Sequence, residues 1–137
     1  MDFWKCPKCG REFSKKEQFH SCVSILIEVH FKNKSPELIK IFDVLRNEVE
    51  KFGIMRIDAV HTSINFGGKS QYCVIFVRQE YLKLEFLLNR IIEDPRFLKV
   101  RGPTNGYYTY TIILNDIKEV DDQLVIWLKE SYDLRNK

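Results

Sequence analysis

Three cysteines and a histidine near the N-terminus have the types and the spacing of a metal-binding set. Two residues separate Cys6 from Cys9, and one residue separates His20 from Cys22. The short first gap lets two thiolates point at one centre, and the second pair completes a tetrahedral set of three thiolates and one imidazole. This set suits Zn²⁺ and leaves no position for water or substrate. The four residues therefore predict a structural zinc knuckle over residues 1–22.

Two other interpretations of these cysteines remain open. A disulfide between Cys6 and Cys9 would need an oxidising compartment and would leave Cys22 without a role. An iron centre could use the same ligands. Cys73 stands apart in the strand-like run YCVIFV, which is typical of a small buried residue.

The bulk composition is that of a folded domain. The 137 residues are 45% hydrophobic and 30% charged, and the formal net charge of +3 favours anionic partners only weakly. The sequence shows no signal peptide and no apolar run of the roughly 18 to 20 residues that cross a membrane. We therefore expect a cytoplasmic protein without a membrane partner, in which thiols stay reduced.

Hydrophobic periodicity indicates the elements that position the remaining residues. Residues 23–34 fit a strand or a short helix and are predicted to connect the knuckle to the main domain. Ser35-Pro36-Glu37 marks a helix start, and apolar residues recur at helical spacing up to Gly53.

From residue 54 the period changes to two. Four strands joined by short turns are predicted, then an irregular stretch over 89–106, a strand at 107–114 and a closing helix from about 118 to 135. The predicted fold of the 35–137 domain is α+β: one antiparallel sheet of about five strands, flanked by a helix before and a helix after on one face.

The order of the motifs resembles a known family. WKCPKCGREFSKKEQFHSC, a helix opened by proline, INF, KLEFLL, EDPRF and a VDDQL…WL…SY ending occur in that order over almost the whole chain. This arrangement is similar to the bacterial domain-of-unknown-function family numbered fifty-six fifty-five. The resemblance implies a small α+β domain, often with this zinc knuckle, that stands alone or is joined to other domains, including nuclease-like ones. It implies no particular activity.

Two positions depart from the pattern that the resemblance implies. Members of the family often have a basic residue where His61 stands and a histidine where Tyr110 stands. If those two residues serve a shared site in the family, that site is altered or lost in this chain.

Candidate catalytic residues are few. The sequence has neither a glycine-rich phosphate loop nor a nucleophile elbow. Metal-binding carboxylates beside a lysine could form a hydrolase or nuclease-type site on the sheet: Asp58, Glu80, Lys83 and Glu85. Acids and lysines that alternate along a strand are, however, typical of any solvated sheet face. His30 and His61 could act as acid–base groups or as hydrogen-bonded structural residues. The sequence favours a protein that is not an enzyme.

Basic residues interleaved with tyrosines favour a binding function, because cations suit phosphates and rings suit bases. The predicted nucleic-acid-binding residues are Lys8, Arg11, Lys15, Lys16, Arg78, Lys83, Arg96, Lys99, Arg101 and Tyr108. The competing interpretation is a solvated surface, since the first cations offset thiolate charge and Glu93 and Asp94 interrupt the later cluster. The sequence thus predicts a zinc-containing binding module with nucleic acid as its partner. The alternatives are a small metal-dependent hydrolase and a protein–protein interaction domain.

Overall fold

The structure, a computed structural model, describes residues 3–7, 12–17 and 27–137. Within these residues the main layer is a six-stranded antiparallel sheet with the strand order β3-β4-β5-β6-β8-β7. Its strands are β3 (Arg56–Ala59), β4 (Ile64–Gly67), β5 (Gln71–Val77), β6 (Leu82–Leu88), β7 (Phe97–Thr104) and β8 (Tyr107–Leu114). The first four form a meander, because short turns join antiparallel neighbours. The chain then crosses to the far edge for β7 and returns as β8 between β6 and β7.

A second, two-stranded sheet lies near the N-terminus. β1 (Trp4–Lys5) pairs antiparallel with β2 (Glu12–Phe13), and Trp4 lies opposite Phe13. The centroids of these two rings are 6.0 Å apart, and Phe13 is buried. The two strands therefore form the stem of a hairpin whose connection, residues 6–11, contains Cys6 and Cys9.

The described residues form three α-helices: α1 (Ile27–Phe31), α2 (Glu37–Glu50) and α3 (Asp122–Arg135). The connecting segment is therefore helical over 27–31, whereas residues 23–26 lie outside the described residues. α2 confirms the predicted helix, and the carbonyl oxygen of Ser35 accepts a hydrogen bond from Leu38 N at 3.1 Å. None of the helices among the described residues has the length and hydrophobicity that a membrane span requires.

The closing helix begins later than predicted. Residues Ile117–Glu119 form a separate 3₁₀ turn, and Asp121 interrupts the helical path with an extended backbone. The carboxylate of Asp121 accepts a hydrogen bond from Leu124 N at 3.0 Å. An aspartate in this geometry caps a helix, so α3 starts at Asp122 and not near residue 118.

The prediction of about five strands was wrong by one, because β7 lies in the stretch that was interpreted as irregular. All residues of β7 after Phe97 are exposed, so the strand shows no alternation of buried and exposed residues. Gly102 and Pro103, which usually interrupt strands, lie inside it, and Gly102 has a φ of 119°. Edge strands accept such residues because one side of the backbone needs no partner.

α2 and α3 pack on the same face of the main sheet and bury its apolar side chains. Phe42 of α2 contacts Phe66 of β4, with 5.9 Å between ring centroids. Trp127 of α3 stacks on Phe86 of β6 at 6.3 Å. The core also includes Leu38, Ile41, Leu45 and Val49 of α2, and Leu124 and Leu128 of α3. The fold is therefore α+β, as predicted.

Candidate functional site

The opposite face of the main sheet, which we call the open face, carries most of the candidate functional residues. Strand register places one row of residues across it, all polar except Val74: Asp58, Asn65, Val74, Glu85, Thr111 and Lys99. The neighbouring positions on the same face are Arg56, Phe76, Lys83, Leu87, Thr109, Arg101 and Ile113. Among the described elements, neither α2 nor α3 covers this face. Four of these residues are basic and two are acidic, so the open face has a positive balance.

An aromatic ring flanked by two cations lies at one end of the open face. The ammonium nitrogen of Lys83 is 4.5 Å from the centroid of the Phe76 ring, and the guanidinium carbon of Arg78 is 5.3 Å from it. Phe76 is half-buried and Arg78 is exposed. Within the described part of the chain, neither cation forms an ion pair, so both charges are available to a ligand.

A hydrogen-bonded carboxylate lies in the middle of the open face. Glu85 accepts hydrogen bonds through Oε2 from Arg101 at 3.1 Å and from the hydroxyl of Thr111 at 3.3 Å. The Glu85 side chain is only 19% exposed, whereas that of Arg101 is 50% exposed. Glu85 therefore orients the guanidinium of Arg101, which keeps donors directed toward solvent.

A cleft of about 500 Å³ lies between the N-terminal hairpin and the β3–β4 side of the sheet. It is lined by four cations, Lys15, Arg56, Lys69 and Arg135, together with Asp58 and Asn65. Arg135 also lines a second hollow of about 420 Å³ beside Arg101 and Tyr107. The guanidinium carbon of Arg135 lies 5.0 Å from the centroid of the Tyr107 ring. Basic side chains therefore follow one another from the hairpin to β7.

Arg56 holds the hairpin against the sheet. Its guanidinium donates hydrogen bonds to the carbonyl oxygens of Gly68 at 2.7 Å and of Glu12 at 2.7 Å. The guanidinium carbon of Arg56 also lies 5.2 Å from the centroid of the Phe3 ring. These contacts join β1 and β2 to the β4–β5 turn and fix the width of the cleft.

One of the four predicted zinc ligands lies within the described residues. Cys6 directly follows β1 and is 3% exposed. Its position at the end of a hairpin stem fits a knuckle, in which the two cysteines of a Cys-x-x-Cys turn face one metal. Cys9, His20 and Cys22 lie outside the described residues. Within the described part, no group of three or more metal-ligating side chains is found.

The predicted nucleic-acid-binding residues fall into three groups. Lys15, Arg78, Lys83, Lys99 and Arg101 lie on or beside the open face. Lys16 is exposed in the turn that follows β2, whereas Lys8 and Arg11 lie outside the described residues.

The third group, Arg96 and Tyr108, is not brought together with the others. Arg96 pairs with Asp121 at 2.9 Å and donates to the carbonyl oxygen of Glu119 at 2.6 Å, which anchors the start of α3. Its guanidinium carbon also lies 5.9 Å from the centroid of the Trp127 ring. Tyr108 packs against the core beneath the helices, on the face opposite to Lys99.

The acidic residues of the hydrolase hypothesis are spread over the sheet. β4 and β5 lie between the strands of Asp58 and Glu85, so these side chains are about 14 Å apart at about 4.8 Å per strand. Glu80 lies in the exposed β5–β6 turn. Lys83 contacts Phe76 and no carboxylate among the described residues. Two carboxylates at this separation cannot hold a single metal ion.

His30 and His61 line one cavity, at the end of the open face where Phe76 and Arg78 lie. Burial lowers the pKa of His30, a hydrogen bond to the backbone of Val60 opposes this, and the charge of Lys34 lowers the pKa further. The pKa of His30 is therefore lowered, which favours the neutral ring. Tyr110 lies elsewhere, buried under the helices, where its hydroxyl donates to Arg90 O at 2.7 Å. The structure does not bring Tyr110 and His61 into one site.

Several residues of this site were not predicted from the sequence. Arg56 and Arg135 look like isolated surface charges in the sequence, and only the fold brings them to one cleft. Phe76 lies in an apolar run that could face either side of a sheet. Lys69 stands in the predicted Gly67-Gly68-Lys69-Ser70 turn, so its exposure could have been inferred from that signal.

Residues 27–135 match the family model described as a domain of unknown function (DUF5655). Neither the curated proteins nor the solved structures contain a match to the chain. The matched residues run from α1 to the end of α3 and so include the whole main sheet, while the N-terminal hairpin precedes them. The family resemblance seen in the sequence motifs is thereby confirmed for the main domain. The chain belongs to the DUF5655 family.

Proposed function

We propose that this protein is a zinc-containing module that binds single-stranded nucleic acid on its open face. The observation that carries the proposal is the Phe76 ring with Arg78 and Lys83 beside it, on a sheet face that neither α2 nor α3 covers. An aromatic ring offers a stacking surface to any base, and neighbouring cations contact the phosphates on either side of it.

Basic side chains extend this binding surface across the sheet. Lys99 and Arg101 of β7 share the open face with Lys83, separated from it by β8. The cleft with Lys15, Lys69 and Arg135 continues the positive surface toward the N-terminal hairpin. A sheet face with several phosphate contacts and few aromatic rings fits a flexible single strand, whose backbone can follow the side chains.

The test is fluorescence anisotropy with a labelled single-stranded oligonucleotide, a duplex and an RNA strand at several salt concentrations. For single strands, log affinity should fall linearly with log salt, with a slope of about −0.7 for each phosphate contacted. Lys83→Gln and Lys99→Gln should each make the slope shallower by about 0.7. The matched controls are Lys40→Gln and Lys129→Gln, which remove exposed cations of α2 and α3. Absence of binding at low salt, or equal effects of both pairs, would contradict the proposal.

The zinc knuckle is part of this proposal. Cys6, Cys9, His20 and Cys22 would hold one structural Zn²⁺, which fixes the hairpin that forms one wall of the cleft. Support comes from burial of Cys6 at the end of the hairpin stem and from the donor set, since three thiolates and an imidazole match zinc. A hairpin this short needs a metal ion to stabilise it, because it buries little apolar surface of its own.

Metal content measured per chain tests the zinc assignment. We expect one zinc per wild-type chain and its loss in Cys9→Ser, while the circular dichroism of the main domain persists. Cys73→Ser is the matched control, because Cys73 is buried in β5 far along the chain from the hairpin. Full zinc occupancy in Cys9→Ser would overturn the ligand assignment.

A second candidate function, self-association, is favoured by the β7 edge. Apolar side chains are exposed on β7 and in the segment before it: Leu98 is 66% exposed and Val100 42%, and Ile91 before the strand is 67% exposed. An edge strand with exposed apolar residues can pair with another copy of the chain. Light scattering over a concentration series tests this, and Leu98→Asp should abolish any dimer. The hydrolase alternative has less support, because its carboxylates lie on separate strands.

A further inference from the structure

A cavity of about 500 Å³ lies at the end of the open face, beyond Phe76. Its walls come from α1, from the α1–α2 connection, from the β3–β4 turn and from the end of β5. Its size falls within the range of about 300 to 1,000 Å³ that small-molecule sites occupy. The nucleic-acid-binding surface described above uses only its rim, through Phe76 and Arg78.

The polar lining of this cavity consists of groups that bind anions. They are His30, Lys34, His61, Thr62 and Arg78, and the lining contains no carboxylate. Among the described residues, neither Lys34 nor Arg78 forms an ion pair. Lysine and arginine side chains that converge without an acidic partner create a positive potential, which favours phosphate over neutral ligands.

Hydrogen bonds between the elements hold these walls in place. Ser35 N donates to Gln79 O at 3.3 Å, and the Gln79 side chain donates to Asn33 O at 2.7 Å, which ties the α1–α2 connection to the β5–β6 turn. Val60 N donates to Ser63 O at 2.9 Å and closes the turn that carries His61. A site whose walls are fixed before binding loses less entropy when the ligand enters.

His30 forms part of the wall and does not supply the charge. Its ring is hydrogen-bonded to the backbone of Val60, and its Nε2 has no hydrogen-bond partner among the described residues. The lowered pKa of His30 favours its neutral form, and Lys34 and Arg78 supply cations to the cavity lining. A dianionic ligand matches these two cations.

We infer that the cavity binds a terminal phosphate monoester while the attached base lies on Phe76. Arg78 links the two subsites, because it lines the cavity and lies 5.3 Å from the Phe76 ring centroid. The phosphate is carried either by the end of a nucleic-acid strand or by a free mononucleotide. The inference rests on the proposed function where the phosphate is the end of a nucleic-acid strand. It does not rest on that function where a free mononucleotide carries the phosphate.

The experiment uses the full zinc-loaded chain and an internally labelled single-stranded oligonucleotide in three forms. The forms carry hydroxyl groups at both ends, a 5′-phosphate or a 3′-phosphate, and anisotropy gives the affinity of each. Adenosine monophosphate and inorganic phosphate are titrated separately by calorimetry. We expect at least a tenfold gain in affinity from a phosphate at one end of the strand, or binding of the mononucleotide.

Variants assign the gain to the cavity. Lys34→Gln should remove the gain from the terminal phosphate and leave binding of the hydroxyl form unchanged. Lys40→Gln, an exposed cation of α2, should keep the gain. Thermal unfolding of each variant shows whether the fold is retained. If Lys40→Gln lost as much of the affinity gained from the terminal phosphate as Lys34→Gln, the assignment to the cavity would be wrong.

The outcomes separate this inference from the proposed function. If the hydroxyl form binds and a terminal phosphate adds nothing, the cavity inference fails and the open-face proposal stands. If no oligonucleotide binds but the mononucleotide binds and is lost in Lys34→Gln, the cavity inference stands and the proposed function fails. If neither ligand binds, both are wrong.

Discussion

The two faces of the main sheet use the same strands for different purposes. On the helix-covered face of β6, Leu82, Leu84, Phe86 and Leu88 are all at most 1% exposed. On the open face of the same strand, Lys83, Glu85 and Leu87 are all partly exposed. Alternate residues of one strand therefore belong to a packed core and to a polar surface, as the period of two requires.

This difference separates stability from function in the molecule. Core residues of the helix-covered face contribute through burial and close packing, so truncating them should lower the free energy of unfolding. Lys83 and Lys99 of the open face form no ion pair among the described residues, so replacing them should leave that free energy nearly unchanged. The comparison fails if substitutions on the two faces have equal effects on stability.

The largest effect is expected for Phe86→Ala. Phe86 is 1% exposed and lies between three rings, with centroid distances of 5.7 Å to Tyr110 and 6.3 Å to both Phe97 and Trp127. Removing the ring leaves a cavity and should cost about 3 to 5 kcal/mol of unfolding free energy. Urea denaturation measures the cost. If Phe86→Ala does not fold, Phe86→Leu supplies a smaller loss, and a loss below about 0.5 kcal/mol in both variants would contradict the description of this core.

A smaller loss is expected for Ser131→Ala. The buried hydroxyl of Ser131 accepts a hydrogen bond from Leu87 N and donates one to Tyr72 O, both at 3.1 Å, and so joins α3 to β6 and β5. Without it, two buried backbone groups lose a partner, which costs about 1 to 3 kcal/mol. Urea denaturation of Ser131→Ala beside Ser14→Ala, an exposed serine, measures this difference. Equal stabilities of the two variants would mean that the bridge contributes nothing.

The sequence specified the elements whose signals are local. α2 was found because proline at its start and apolar residues at helical spacing need no tertiary information, and β3 to β6 followed from alternation. β7 was missed because an edge strand exposed on both sides has no periodicity, and its Gly102-Pro103 step looks like a break. α3 was placed too early because the capping role of Asp121 depends on its backbone angles.

The residues of the candidate site depend on tertiary contacts more than the helices and strands do. Lys83 and Lys99 were found as cations, but Arg56 and Arg135 join them only because the hairpin and the end of α3 meet at one cleft. Arg96 was predicted to bind nucleic acid, yet it anchors Asp121, a partner 25 residues further along the chain. Composition and spacing cannot separate a cation that anchors a helix from one that faces solvent.

A third stability prediction concerns Asp121, which lies at the start of α3, at the border of the helix-covered side of the sheet. Its carboxylate caps α3 and pairs with Arg96 at 2.9 Å. Burial opposes ionisation, but the hydrogen bonds from Leu124 N and Arg96 outweigh it, so the pKa of Asp121 is lowered. Asp121→Ala should cost about 1 kcal/mol, as for other helix caps.

The pH dependence of stability gives the sign of the Asp121 charge effect. Because the folded pKa lies below the unfolded value of about 3.9, the stabilising contribution is present above pH 4 and is lost as pH falls through the folded pKa. Asp121→Asn keeps a capping oxygen and should remove this pH-dependent part. Identical pH profiles of wild type and Asp121→Asn between pH 5 and pH 2 would contradict the assignment.

The sharpest contrast between the two faces is expected for Phe76→Leu. Phe76 is half-buried on the open face, and its ring contacts the cations Arg78 and Lys83. Exposed cation–π contacts contribute about 0.5 to 1 kcal/mol each, so loss of these two should lower the unfolding free energy by about 1 to 2 kcal/mol, less than the loss expected for Phe86→Ala. Stacking of one base on an aromatic ring contributes about 1 to 3 kcal/mol, so affinity for a single strand should fall roughly fivefold or more. Urea denaturation and anisotropy on the same preparation measure both quantities. If Phe76→Leu destabilised the fold as much as Phe86→Leu while leaving oligonucleotide affinity unchanged, the open face would be a second structural surface and not a binding one.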